Sequence, residues 1–228
     1  MIELLMPPAH IRLVIFDCDG VLIDSEVLSA RILIEEVAAL GVTLTTAYVR
    51  DNFLGRSFPT VAQVIRERFA LVLPPTFEAR YRARLLEQFE TDLRTTPGIL
   101  TLLPRIGCLK CVATSSSPPR VAQSLAISGL NRHFSDVFTA SLVKTGKPAP
   151  DLFLYAAQAM GVDPANCLVI EDSRPGIAAA HAAGMQVLLY TGGSHMQGTA
   201  FDTTPPVQAF EHWDRLEQLY PDVMKDPS

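Results

Sequence analysis

Short apolar runs recur along the chain at Ile11–Phe16, Leu109–Thr114, Asp136–Thr139, Leu168–Ile170 and Gln186–Tyr190, each closed by a turn. Most are followed by a segment whose apolar residues recur at helical spacing, and strands alternating with helices predict a parallel sheet. Leu13-Val14-Ile15-Phe16 and Leu168-Val169-Ile170 are apolar at every residue, as expected of strands covered by helices on both faces. Such sheets bind ligands beyond the carboxyl ends of their strands, so functional side chains should cluster just after each run.

Between the first and second runs lie more than eighty residues without a convincing pair of strands. Val27–Leu40 ends at Gly41, Val61–Leu71 carries apolar residues at helical spacing, and Phe77–Phe89 starts after Leu73-Pro74-Pro75-Thr76. An inserted helical bundle is expected, entered near Asp24–Glu26 and left near Thr95–Gly98. The expected fold class is α/β: a three-layer, Rossmann-like parallel-sheet core over residues 1–24 and 96–228, with a helical domain inserted at 25–95. A further helix is punctuated by Ser173 as a cap, Pro175 in its first turn and Gly184 at its end. His181 lies inside that helix and reads as a packing or surface residue.

Composition narrows the partners. A chain of 228 residues, 48% of them hydrophobic, can bury a core of its own. Its 19 basic and 24 acidic residues give a net charge of -5, which offers no broad basic surface to nucleic acid, so a small anion needs a local site. No apolar run reaches the roughly 18 residues of a membrane helix. Met1–His10 lacks the basic start and long apolar stretch of a signal peptide, and the cytoplasm is the expected location. Cys18, Cys108, Cys111 and Cys167 read as reduced thiols. Cys108 and Cys111 have the spacing of a metal or redox pair, but no second Cys/His pair completes a ligand set.

Four segments carry candidate chemistry. In Phe16-Asp17-Cys18-Asp19-Gly20 the first buried strand ends in two acids. Side chains two apart on an extended segment point the same way, so the two carboxylates would converge. One could attack as a nucleophile while the other works as general acid and then base; the same residues are also ordinary turn formers. Leu168-Val169-Ile170-Glu171-Asp172-Ser173 repeats the pattern. Four carboxylates at neighbouring strand ends would repel unless a hard divalent cation were bound, and oxygen ligands favour Mg2+. The ligands expected are Asp17, Asp172 and the backbone carbonyl of Asp19, with Glu171 acting directly or through water. A helix cap at Asp172 or Ser173 is the plainer alternative. The hydroxyl run Thr114-Ser115-Ser116-Ser117 precedes a helix and suits phosphate oxygens, through the Ser115 hydroxyl and the backbone at Ser116, or else simply caps that helix. Lys147, in Gly146-Lys147-Pro148, can offset charge on an attacking carboxylate and a transferring phosphoryl group, whereas Lys144 reads as surface.

Taken in order, these segments resemble the haloacid dehalogenase superfamily, in the subgroup with a helical cap after the first strand. The resemblance runs over nearly the whole chain through Asp-Cys-Asp-Gly-Val-Leu, the serine after the second strand, Lys-Pro-Ala-Pro-Asp and Glu-Asp-Ser. It implies Asp17 as nucleophile, Asp19 as general acid/base, Ser115 and Lys147 as phosphate ligands, and Glu171 with Asp172 on the metal side. It also implies a cap that closes over the substrate, with Arg56 and Ser57, in the Gly55 loop, as candidate specificity elements.

Departures from relatives refine the expected activity. Dehalogenases of the superfamily lack the second acid, which Asp19 supplies here. Beta-phosphoglucomutases place a histidine where this chain has Ser29, and none of the five histidines lies in the insert. Phosphonatases use a cap lysine, and no lysine lies between Asp24 and Pro97. The chain is therefore most similar to sugar-phosphate phosphatases of the subgroup, including those acting on 6-phosphogluconate. The expected partner is a small phosphorylated metabolite, with no nucleic acid or membrane, and the expected state a monomer or weak homo-oligomer. A phosphomutase and a non-catalytic phosphate sensor are the competing readings. Arg80, Arg82 and Arg84, spread around a helix, are expected to be solvated.

Overall fold

The computed structural model describes residues 10–198 and 201–225; the Met1–His10 stretch, expected not to be a signal peptide, lies outside the described residues apart from His10. In chain order the elements are β1 (Leu13–Phe16), α1 (Glu26–Ala38), α2 (Thr46–Phe53), α3 (Phe58–Phe69), α4 (Phe77–Asp92), α5 (Ile99–Leu102), β2 (Leu109–Thr114), α6 (Pro118–Ile127), β3 (Val137–Thr139), α7 (Asp151–Ala159), β4 (Cys167–Glu171), α8 (Arg174–Ala182), β5 (Gln186–Tyr190), β6 (Ala209–Phe210) and α9 (Asp214–Leu219). The strands form one parallel sheet of order β3-β2-β1-β4-β5-β6. β1 lies between β2 and β4, with Phe16 in register with Val112 and Ile170. The order reverses direction at β1, where a crevice opens beyond the strand ends.

Alternation along each strand sorts the core into two faces. Leu13, Ile15, Cys111, Ala113 and Val169 point to the side covered by α7 and α8. Val14, Phe16, Val112, Leu168 and Ile170 point to the other, whose cluster runs on into the helices of the insert. Cys111 is buried on the first face while Cys108 packs against the second, and all four cysteines are free.

Within the insert, α4 buries Phe77, Tyr81, Leu85 and Phe89, a spacing of four that makes one apolar stripe, and this stripe packs on α1. Arg80 and Arg84 of α4 are exposed, as expected, and Arg82 is half-buried, but all three are also ion-paired. Arg80 and Arg84, four residues apart and thus on one face, both bond the buried Glu36 of α1, Arg84 at 2.7 Å. Arg82 bonds Glu78 at 2.5 Å and the hydroxyl of Ser117 in the core. α2 was not expected, because Thr-Ala-Tyr-Val-Arg-Asp-Asn-Phe buries only Val49 and Phe53 and its start is set by the Thr45 hydroxyl accepting from the Tyr48 amide at 3.1 Å. Two crossings join insert and core side by side: the Asp24 amide bonds Arg94 O at 2.9 Å and the Thr96 amide bonds Leu22 O at 3.1 Å. Trp213 Nε1 donates to Thr96 Oγ1 at 3.0 Å, tying this crossing to the C-terminal part of the core.

Candidate active site

The site forms where β1, β2 and β4 end together. The amide of Asp17 still bonds Ile170 O, at 3.0 Å, so its side chain emerges at the sheet edge. The chain then turns at Gly20, whose φ of +78° favours glycine. Because the strand has already ended, Asp17 and Asp19 do not share partners, although both line the same cavity.

Lys147 is buried and its Nζ donates to Asp17 Oδ1 at 2.5 Å, Glu171 Oε1 at 2.7 Å and Ala113 O at 3.0 Å. Burial disfavours its charge, yet the Asp17 and Glu171 carboxylates outweigh that and raise the ammonium above the ordinary lysine range. Glu171 Oε2 accepts from the amides of Asp172 and Ser173, each at 2.9 Å, and from Ser173 Oγ at 2.8 Å. Ser173 Oγ in turn accepts from the Gly176 amide at 3.1 Å, capping α8. A fixed carboxylate and a helix cap thus coexist in this segment.

Asp19 is held by a separate set. Its Oδ1 accepts from Ser25 Oγ at 2.6 Å and Arg120 Nη2 at 2.7 Å, and its Oδ2 from Ser116 Oγ at 2.6 Å. Burial alone would raise its pKa, but the Arg120 charge and the two hydroxyl donors hold it below the usual carboxylate value. Asp17 and Asp172 are the reverse. Burial first, then the neighbouring carboxylates, push both well above that value despite Lys147.

Asp172 Oδ2 is buried without a hydrogen bond. Two buried carboxylates, Asp17 and Asp172, each destabilised by burial and by like-charged neighbours, are the donor chemistry that a hard divalent cation satisfies, so they suit such an ion. Among the described residues no three His, Cys, Asp or Glu side chains form a closed metal cluster. A backbone carbonyl and water would have to complete the set.

The cavity, about 130 Å³, is lined from the core by Asp17, Asp19, Thr114, Ser115, Ser116, Arg120 and His195, and from the insert by Glu26, Leu33, Val49, Phe53, Phe58 and Tyr81 among others. Ser115 lines it, but its hydroxyl donates to Gly55 O at 2.9 Å, a contact between core and insert. The Ser116 amide donates to Thr114 Oγ1 at 3.0 Å. Arg56 is an exposed lining residue, whereas Ser57, expected beside it, is not among the lining residues. Its hydroxyl lies 3.0 Å from Thr60 Oγ1 at the start of α3, where a local hydroxyl pair is closer than the cavity. His181 and Lys144 are exposed.

Arg120, Glu26 and His195 were missed by sequence reasoning. Arg120 follows Pro118-Pro119 on α6 and reaches Ser29 Oγ of α1 at 3.0 Å as well as Asp19. Glu26 directly follows the segment already singled out, and its position after a turn was a usable signal. Burial, reinforced by the charges of Asp19 and Asp172, pushes its carboxyl up to about 8. His195 comes from a loop after β5 and gave no motif.

A parallel sheet with acids and a buried lysine at its switch point places charged chemistry where α/β enzymes bind their ligands. A family model described as haloacid dehalogenase-like hydrolase matches residues 11–184, and the chain belongs to that family. It is 29% identical to the 6-phosphogluconate phosphatase of Escherichia coli (strain K12), over 93% of this chain and 96% of the relative. It is 30% identical to hexitol phosphatase B of the same strain, over 80% of this chain and 84% of the relative. Among solved structures, a HAD family hydrolase from Deinococcus radiodurans R1, with bound phosphate and sodium, superposes with a TM-score of 0.71 at 27% identity, over 96% of this chain and 100% of that one. The enzyme class is that of a haloacid dehalogenase-like phosphatase. No helix among the described residues is long and apolar enough to cross a membrane.

Proposed function

We propose that the protein is a Mg2+-dependent phosphatase that hydrolyses a small phosphorylated metabolite, a sugar or sugar-acid phosphate, through an aspartyl-phosphate on Asp17. The observation that carries this reading is the buried Lys147 ammonium, bonded to both Asp17 Oδ1 and Glu171 Oε1 beside a cavity that Asp19 also lines. Residues 25–95 act as a cap over that cavity. The phosphatase relatives and the phosphate held by the Deinococcus hydrolase support the substrate class.

In the first half of the reaction an Asp17 oxygen attacks phosphorus and the bond to the ester oxygen breaks. Asp19 gives its proton to the departing alcohol. In the second half Asp19 takes a proton from water, whose oxygen attacks the phosphoryl group and frees Asp17. Ionised Asp19, as Arg120 and the two hydroxyls hold it, is in the form that this second half needs; the proton it takes from water there is the one it gives to the alcohol in the next turnover, and the first is taken from solvent. Lys147 balances charge on Asp17 and the transferring group throughout. Asp17, Asp172 and the Asp19 carbonyl would hold Mg2+, which supplies charge neutralisation at the phosphoryl oxygens. Glu171, with both oxygens already bonded, is suited to orient this set and to act through water.

Incubating the purified enzyme with several dozen phosphorylated metabolites, with and without Mg2+, tests the proposal. Phosphate release that requires Mg2+ and favours sugar phosphates is expected. Isomerised sugar phosphate without release, or no turnover on any compound, would overturn it.

A further inference from the structure

His195 has no part in the two proton transfers, yet its surroundings are built around it. It lies in the turn Ser194–Met196 after β5, with Nε2 2.9 Å from Asp172 Oδ2 and both side chains almost wholly buried. Neither ring nitrogen nor that oxygen has a formed hydrogen bond. The separation is that of a hydrogen bond, and only the alignment is lacking. Two glycines make the room: a Cβ on Gly20 would come within 1.9 Å of Asp172 Oδ2 and 2.8 Å of His195 Cε1, and one on Gly193 within 2.6 Å of the same ring carbon. From the other side Asp24 Oδ1 fastens the turn, accepting from the amide and hydroxyl of Ser194 at 3.1 and 2.8 Å.

We infer that His195 is a positioning residue for the cation site, donating from Nε2 to Asp172 Oδ2 and fixing the orientation in which that carboxylate meets the ion. This rests on the cation assignment of the proposed function. Asp172 has no other side-chain donor among its recorded partners, whereas Glu171 and Asp19 are each fixed by several. Groups behind a ligand that set its orientation change metal affinity by about 10–100-fold when removed.

Calorimetric titration of Mg2+ into substrate-free wild-type protein, His195→Ala, His195→Gln and Asp172→Asn, with the melting temperature of each, tests the inference. Binding should weaken about 10–100-fold in His195→Ala, recover substantially in His195→Gln, which keeps an N–H donor, and vanish in Asp172→Asn. Wild-type affinity in His195→Ala would overturn the role of His195 and leave the cation assignment standing. Equal weakening in both His195 variants with a lowered melting temperature would also overturn it, as a packing effect. Absence of binding by the wild type, or undiminished binding by Asp172→Asn, would overturn the cation assignment and this inference together.

Discussion

The two halves of the cavity are made differently. On the core side the charged groups cluster past the strand ends and are bonded within a dense set: Lys147 to Asp17 and Glu171, Asp19 to Ser25, Ser116 and Arg120. On the insert side the wall is largely apolar, with Leu33, Val49, Phe53 and Phe58. In the proposed reaction this difference would separate chemistry from selection. Groups that must act on a phosphoryl group need fixed geometry, which the sheet supplies, while groups that choose among substrates can sit on the inserted helices, away from the reacting bond.

The largest expected effect is on the core side. Asp17→Asn should lower turnover by about 10,000-fold or more while leaving the fold intact, read by phosphate release and circular dichroism. Full activity in that variant would break the division at its strongest point. Next is Lys147→Met, which leaves the Asp17 and Glu171 carboxylates facing each other without their shared cation. Chemical denaturation should show a loss of about 3–5 kcal/mol, along with lost turnover.

On the insert side the effects should be smaller and of another kind. Arg56→Ala should raise KM about tenfold with kcat unchanged, the signature of a contact made equally in ground and transition states. An unchanged KM would remove Arg56 from the specificity elements. The last effect is a pH dependence at Glu26. Its folded carboxyl titrates at about 8 against an ordinary 4.5, so between these values the folded protein holds more protons than the unfolded chain. Its contribution to stability is full below about 4.5 and is lost as pH rises through about 8. Asp17 and Asp172 shift in the same direction, so a single substitution is needed to isolate Glu26. In cation-free protein, Glu26→Gln should flatten part of the fall in stability between about pH 5 and about pH 8, measured by denaturation.

The same division governs how much was legible in the chain. Five strands, and the acids at the ends of β1 and β4, could be read because a buried parallel strand needs a continuous apolar run, and the residues next along the chain are those that reach the site. β6 escaped because Ala209–Phe210 is only two residues long. Contacts between distant segments left no local pattern. Arg80 and Arg84 converge on Glu36 across 44 and 48 residues, and Arg120 reaches Asp19 across 101. His195 meets Asp172 only because the loop after β5 folds back over Gly20. Ser57 is the opposite case: Gly55, two residues before it, lines the cavity, while the Ser57 hydroxyl lies beside Thr60 at the start of α3.

The covalent role of Asp17 underlies every step of the proposed reaction, and trapping the intermediate examines it without relying on loss of activity. Enzyme mixed with a turned-over sugar phosphate and Mg2+ is quenched in acid within the first turnover, digested, and its peptides are analysed by mass spectrometry. A phosphoryl group is expected on Asp17 in the peptide containing Phe16-Asp17-Cys18-Asp19, and is expected to be absent from Asp17→Asn. A phosphoryl group on any other residue, or an unmodified peptide from an enzyme whose Asp17→Asn variant still turns over, would contradict that role.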